Sequence, residues 1–597
     1  MGTKQNQTRY KGIVKMNRHL FAVLASVLIS LLSTYSLISW YQDFSETHWI
    51  IVGFTFLFFG TIFFFMYQTI KNNPNRFLHY YKKVFLVAFW LIFSFVLLWS
   101  LKSSTDSLNQ GTLNINLFVL VWSYLTILVS VSWFTILLLM LNVKGVPTKV
   151  SKHRIILYAI IPIVCWSFYL VAYFPGTMTP DSLSHWEQIH TLDFSNWHPV
   201  VYTWYIMLLT TIWKSPAIIA FSQIVLLALF GGYAAYSIEK NGVSQRWIWV
   251  GIILFALYPL NGIFPIAIWK DIFYSGLLFL FTVIIFNIVA SRGKWLSSNI
   301  HLVFFGLVAL ATSLMRTNGL PITFVMGVLL LIAFRQYFLR ILLTTGAVLV
   351  MYFVITGPFF DYMDVRATSP NEALSIPTQQ FAHIIKENGD LSEEERQYLG
   401  NILPYDKWAE NYNPYLTDPI KFDGEYNQDV IFDDFGFYLS TWASVVSKNF
   451  GLAVESYLNQ TSILWQINQP DDGYTSTYAR NVYLYNDYDL KTDPLSSTAY
   501  RVGNKVLVSI ERYLLEPLLR PAFYTTIILL SGVVLALRNN GKALLIIAPV
   551  LLNTGVMLLA TPAQDFRYQF ANVLITFFVI GILFIRYEDK EKKVQHE

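Results

Sequence analysis

Charge is what this sequence has least of. Asp, Glu, Lys and Arg make up 13% of its 597 residues, about half the share of an average soluble domain. Hydrophobic residues make up 55% and the mean hydropathy is +0.46. Those proportions exclude a soluble enzyme, a disordered chain and a fibrous protein. Cysteine is nearly absent: Cys165 stands alone in an apolar run, which excludes an intrachain disulfide framework and a thiolate metal cluster. There is no short-period repeat and no low-complexity tract. What is left is a polytopic membrane protein.

Apolar runs fall at 20–40, 49–70, 84–101, 117–141, 155–174, 217–238, 247–268 and 272–290, then at 300–315, 319–334, 341–357, 521–537, 543–560 and 569–585. A helix needs about 20 residues to cross a hydrocarbon core of about 30 Å. A lipid-exposed backbone must also satisfy its own hydrogen bonds. The runs therefore predict an all-α polytopic fold with about fourteen transmembrane helices. The first run is too long for a secretion signal and lacks a small-residue cleavage site, so it is expected to stay as a helix. Residues 199–213 (PVVYTWYIMLLTTIW) are apolar but too short to span. They are expected to lie along the outer surface, with Trp and Tyr at headgroup level.

Lys and Arg set the orientation. With both termini cytoplasmic, 25 basic residues fall on the cytoplasmic side, from Lys4 to Lys593. Outside one long segment, only Lys102, Lys214, Lys270, Arg316, Arg520 and Arg567 face the other side. The long segment, 358–519, holds 24 acidic and 11 basic residues, a local charge of −13 against +18 for the rest of the chain. The basic excess reads as membrane topology and attraction to anionic membrane lipids, with no nucleic-acid partner. Four regions follow. Residues 1–154 form a four-helix extension, and 155–357 a membrane module whose first external loop is 175–216. Residues 358–519 form an acidic, mainly helical or mixed extracytoplasmic domain, and 520–597 three membrane helices with a basic tail.

The ionisable residues that hydropathy would exclude share one address. The first external loop holds Asp181, His185, Glu187, His190, Asp193 and His198. Trp269, Lys270 and Asp271 occupy one outer turn, Arg316, Asn318 and Gly319 another, and Asp565, Arg567 and Tyr568 a third. A charged residue in a tight turn can simply mark the water boundary. Lys270 and Arg316, however, oppose the charge bias, and ionisable groups at membrane depth are commonly functional. A shared outer cleft is expected. Asp181 and His185, one helical turn apart, would also allow a metal pair, although capping of a surface helix is the plainer reading. Thr179, Pro180 and Asp181 look like an ordinary helix start.

A carboxylate at the membrane surface, flanked by cations, suits substitution at a lipid-phosphate sugar. The carboxylate takes the proton of an attacking hydroxyl, help worth about 10²–10⁴-fold. Arg or Lys stabilises the charge gathering on the leaving phosphate.

The segments TMTPDSLSHWEQ (177–188), NWHPVVYTW (196–204), WKDIF (269–273), MRTNG (315–319) and DFRYQ (565–569) resemble bacterial GT-C integral-membrane glycosyltransferases. The resemblance covers 155–357 as a GT-C-like core, with a looser fit over 435–585. It implies a polyprenyl-phosphate-sugar donor and an active site on the extracytoplasmic face of the bacterial cell membrane. The acceptor would be an envelope polymer, a glycolipid or a protein. It makes Asp181 the catalytic carboxylate and Asp271 a second acidic site residue, with Lys270, Arg316 and Arg567 as phosphate contacts. His198, Trp269, Asn318 and Tyr568 would be further substrate-binding positions, and His185 and Glu187 secondary candidates. The chain departs from the family in its four preceding helices, a lone Asp where many relatives carry a pair, and WHPV in place of a double proline. The lone Asp leaves a divalent metal open as the one cofactor to consider. Two other classes compete: a lipid-linked-sugar flippase or other multi-pass transporter, and a non-catalytic envelope scaffold.

Overall fold

The computed structural model describes residues 25–37, 48–72, 74–101, 117–140, 149–470, 477–513 and 516–585. The basic residues at 4–18, Lys102, Lys144 and the tail at 586–593 lie outside the described residues. Two compact units emerge: 1–141 with 468–472, and 142–467 with 473–597.

Within the described residues the chain is helical, without a sheet; extended segments meet only as isolated bridges. Every apolar run carries helix; among the described residues six helices are long and apolar enough to cross a membrane, and seven shorter apolar helices of 10–17 residues accompany them. The six are Leu117–Met140, Arg154–Ala172, Pro216–Lys240, Lys270–Ala290, Arg335–Tyr362 and Pro521–Arg538. A seventh span results if Gln245–Leu257 and Pro259–Ile266, bent by 67°, are counted as one. Hydropathy counts apolar residues, whereas the length of an element depends on unbroken helix. Asn299–Met315 and Gly319–Ala333 are separated only by Arg316, Thr317 and Asn318. At about 1.5 Å per residue a 17-residue helix reaches about 25 Å, the lower end of the length that a crossing needs. The length and hydropathy of the spans make this a multi-pass membrane protein.

In the first unit, Val84–Ser100 packs on Leu117–Met140, and Thr126 donates to Ser33 at 3.0 Å. In the second, Lys270–Ala290 is the central helix, with 94% of its apolar window buried. Pro216–Lys240, Asn299–Met315 and Phe570–Ile582 surround it. Gly232 brings Pro216–Lys240 tightly against Arg154–Ala172: a Cβ there would stand 2.2 Å from the Ile155 carbonyl. Val200–Thr210 is an 11-residue helix, about 16 Å long and too short to cross.

The acidic segment builds its own core around Phe381, Ile384, Leu399, Trp408, Tyr438 and Val445. Several backbone seams join it to the rest of its unit, among them Tyr483 donating to Met178 O at 2.8 Å, and two of them bear on the site. In one, Asn196 and Arg366 each donate a backbone N–H to the other stretch, at 2.8 Å to Arg366 O and 2.9 Å to Phe194 O. In the other, Thr417 donates to Pro562 O at 3.0 Å and Gln564 to Tyr415 O at 3.1 Å. The segment thereby braces the 194–196 loop and the 562–564 loop, and both run directly into the polar cluster described next.

Candidate functional site

Pro259 starts a new helix after a sharp bend; it tightens into a 3-10 turn over Phe264–Ile266 and ends at Ala267 in extended backbone. That stretch pairs in parallel with Thr177: Thr177 donates to Ile266 O and Ile268 to Thr177 O, both at 3.0 Å. Gln223, inside the Pro216–Lys240 helix, holds the same backbone through bonds of 2.9 Å from Nε2 to the carbonyls of Pro265 and Ala267. Its Oε1 accepts from the Tyr202 hydroxyl at 2.9 Å. A glutamine in an apolar helix is costly unless fully bonded, and here it fixes where Lys270–Ala290 begins.

The Pro180–Thr191 helix starts on Thr179, as the local sequence predicts. Thr179 does more than cap, since its hydroxyl accepts from the Trp269 indole at 2.8 Å, and Ser182 donates to Ile268 O at 2.7 Å. These bonds set Asp181 beside the start of the central helix.

Asp181, His198, Trp269, Lys270, Asp271, Arg316, Asn318, Arg567 and Tyr568 are brought into one cluster. Arg567 is its hub. Its Nη1 lies 2.7 Å from Asp181 Oδ2, and its Nε lies 2.8 Å from Asp565 Oδ2 and 3.8 Å from Asp271 Oδ2. Arg316 Nη1 donates to Asp271 Oδ1 at 2.6 Å. The two guanidinium groups share the Tyr568 ring, at 4.5 Å for Arg316 and 5.4 Å for Arg567, and Arg567 also lies 5.0 Å from the Trp269 ring. Stacking of this kind holds a planar cation in a fixed orientation. Asn318 donates to the Met557 sulfur at 3.1 Å, next to Arg316, which lies 3.6 Å from the same atom. Lys270 Nζ meets His198 Nδ1, whose other nitrogen lies 3.8 Å from Asp181 Oδ1.

His185 is buried just behind His198, its ring 5.4 Å away and its Nδ1 bonded to the Thr203 hydroxyl at 2.7 Å. Glu187 is exposed on the same helix and takes no part in the ion-pair network. Among the described residues no group of three or more His, Cys, Asp or Glu side chains is arranged to hold a metal ion. The carboxylates here are instead engaged by cations.

Burial pushes the Asp181 carboxyl up, but Arg567, Lys270 and His198 outweigh it and hold the group well below the usual carboxylate range. Burial and the charge on Lys270 push His198 down to about 3, so its ring is neutral near pH 7. Burial, with His198 and Lys270, lowers His185 as well. Asp565 behaves oppositely: burial pushes it up to about 6 despite Arg567. Three carboxylates (Asp181, Asp271, Asp565) thus face three cations (Lys270, Arg316, Arg567), a balanced set that an incoming anion must reorganise.

Asp565 stood in a sequence-identified turn but was given no role there; it turns out to be the partner of Arg567 Nε. Half-buried Asp418 of the acidic segment, its carboxyl pushed up by burial, is one carboxylate among 24 in that segment, and nothing in the sequence singles it out. Gln223 did carry a signal, an amide at membrane depth.

A family model described as a family of unknown function (DUF6020) matches residues 8–597; the chain belongs to that family. No curated protein and no solved structure matches it.

Proposed function

We propose that this member of the DUF6020 family is a glycosyltransferase of the bacterial cell membrane. It moves a sugar from a polyprenyl-phosphate donor to an envelope polymer, glycolipid or protein on the extracytoplasmic face. One observation carries the reading: carboxylates and cations from four remote stretches of chain converge at helix ends, with Arg567 bonded to Asp181 at 2.7 Å.

In this reading the donor phosphate competes with Asp181 and Asp565 for Arg567 and is received by Arg567, Arg316 and Lys270 as a preorganised cradle. Loss of the guanidinium contact frees Asp181 and raises its basicity. The acceptor hydroxyl then attacks the anomeric carbon, the bond from that carbon to the phosphate oxygen breaks, and the hydroxyl proton passes to Asp181. Polyprenyl phosphate leaves with the bonding electron pair, its charge held by the cations. Neutral His198, bonded to Lys270, keeps the ammonium pointed at the site. The apolar helix surfaces accommodate the lipid chain.

The test is incubation of purified protein in nanodiscs with a panel of polyprenyl-phosphate sugars and a membrane acceptor extract, measuring released polyprenyl phosphate. Release that disappears in Asp181→Asn, with normal membrane levels of the variant, supports the reading. Absence of release from every donor overturns it, and full activity of Asp181→Asn removes that residue from the mechanism.

One observation favours the transporter class: the 67° break between Leu257 and Pro259 leads into the cluster, and transporters build sites at broken helices. Movement of labelled lipid-linked sugar across liposomes without a covalent product would decide for it.

A further inference from the structure

Two large aromatic rings stand open at the edge of the cluster, and neither is used by the chemistry above. Trp197 is 43% exposed and stacks on His198, with ring centroids 4.4 Å apart. Phe422 is 59% exposed and meets Trp197 edge-on at 6.0 Å. They come from different parts of the chain, the first external loop and the acidic segment, and the two backbone seams hold those parts in place. Asp418, half-buried, lies one helical turn before Phe422, whose backbone N–H donates to its carbonyl at 2.9 Å.

We propose that Trp197 and Phe422 form a binding platform for a neutral saccharide at the rim of the site, with the Asp418 carboxylate accepting its hydroxyls. An open indole face, with a carboxylate one helical turn from its partner ring, suits a sugar ring, which offers an apolar C–H face to the aromatic and hydroxyl donors at its edge. A lipid tail fits poorly, because Trp197 stacks on His198 and the Lys421 ammonium lies 5.8 Å from the Phe422 ring, polar neighbours rather than an apolar helix face. An anionic saccharide fits poorly as well, because the segment carrying Phe422 and Asp418 has a net charge of −13. The platform abuts His198 and through it Asp181, so a sugar seated there would present a hydroxyl toward Asp181. Its assignment to the acceptor side rests on the glycosyltransferase reading; binding itself does not.

The experiment is saturation-transfer NMR on the full chain in nanodiscs. The probes are neutral oligosaccharides of glucose, mannose, galactose and N-acetylglucosamine, with a short-chain phosphocholine as the lipid probe. The expected result is transfer to at least one saccharide, weakened at least tenfold in Trp197→Ala and in Phe422→Ala, reduced in Asp418→Asn and retained in Trp197→Phe, which keeps a ring. Thermal unfolding of each variant verifies folding. No transfer to any saccharide, equal binding by Trp197→Ala, or transfer to the phosphocholine alone overturns the proposal. Saccharide binding without release of polyprenyl phosphate from any donor sinks the transferase reading and leaves the platform standing. Release without saccharide binding does the reverse.

Discussion

Arg567 and Asp181 meet at 2.7 Å although one precedes the last described helix, Phe570–Ile582, and the other lies in the first turn of the Pro180–Thr191 helix. Asp565 lies in ion-pair range of the same guanidinium, 2.8 Å from Nε, and accepts the Arg567 backbone N–H at 3.1 Å, so Arg567 is held from two sides before any substrate arrives. Arg567→Met is expected to lower the rate constant for polyprenyl-phosphate release by about 10²–10³-fold, the usual loss on removing one donor aimed at developing charge. Arg567→Lys keeps the charge but not the fork and should fall between that variant and the wild type. Steady-state kinetics on the three proteins check this. A lysine variant as fast as wild type would mean the fork geometry is not used.

Asp271 is 1% exposed, and its close partner is Arg316 at 2.6 Å. Removing one member of a buried pair strands the other, at a cost of about 3–5 kcal/mol. Arg316→Met should therefore unfold at a markedly lower temperature in detergent. Arg316→Met combined with Asp271→Asn should recover much of the loss, because no uncompensated carboxylate remains. A double-mutant cycle on unfolding midpoints reads the coupling. Additive losses would show that the pair is not coupled in the folded protein.

Much of the helical fold was legible because apolar runs are long and charges few, and each run does carry helix. The lengths of the helices were less legible than their existence: the Arg316–Asn318 turn shows in the sequence as a polar gap between two apolar runs, whereas the bend at Tyr258–Pro259 interrupts a helix inside one apolar run, and a break changes the length of an element more than its hydropathy. The polar cluster was readable from residues out of place, such as Lys270 against the start of an apolar helix. Asp418 was hidden by its many acidic neighbours in sequence, since only three-dimensional packing tells a site carboxylate from a solvated one. Asp565 lay two residues from Arg567, too close in sequence to suggest that its side chain would fold back onto the same guanidinium.

His198 makes stability depend on pH. Its folded pKa, about 3, lies below the unfolded value of about 6.5. Above the unfolded value the ring is neutral in both states and contributes no slope. As pH falls below it, the unfolded chain binds a proton that the folded chain refuses, so stability is lost on acidification at up to about 1.4 kcal/mol per pH unit. Buried His185, also lowered, adds in the same direction. The unfolding midpoint should therefore drop between pH 7 and pH 5, and His198→Gln should flatten that dependence. Equal slopes for wild type and His198→Gln would rule out a neutral buried ring.

Gly176 ties these relationships to the backbone. Its φ of +114° is open to glycine and strained for other residues, and a Cβ would stand 2.8 Å from the Ile266 carbonyl and 3.3 Å from Ala220 Cβ. The next residue, Thr177, pairs with the stretch that leads into Lys270. Gly176→Ala must either bear the strain, on the order of 1–3 kcal/mol, or push Thr177 away from Ile266. The second response carries Thr179 and Asp181 away from Trp269, Lys270 and Arg567. The expected outcome is a lower unfolding midpoint together with a loss of polyprenyl-phosphate release larger than that of Gly251→Ala, where a Cβ meets nothing within 4 Å. Matching behaviour of the two alanine variants would show that the Thr177 pairing does not position Asp181.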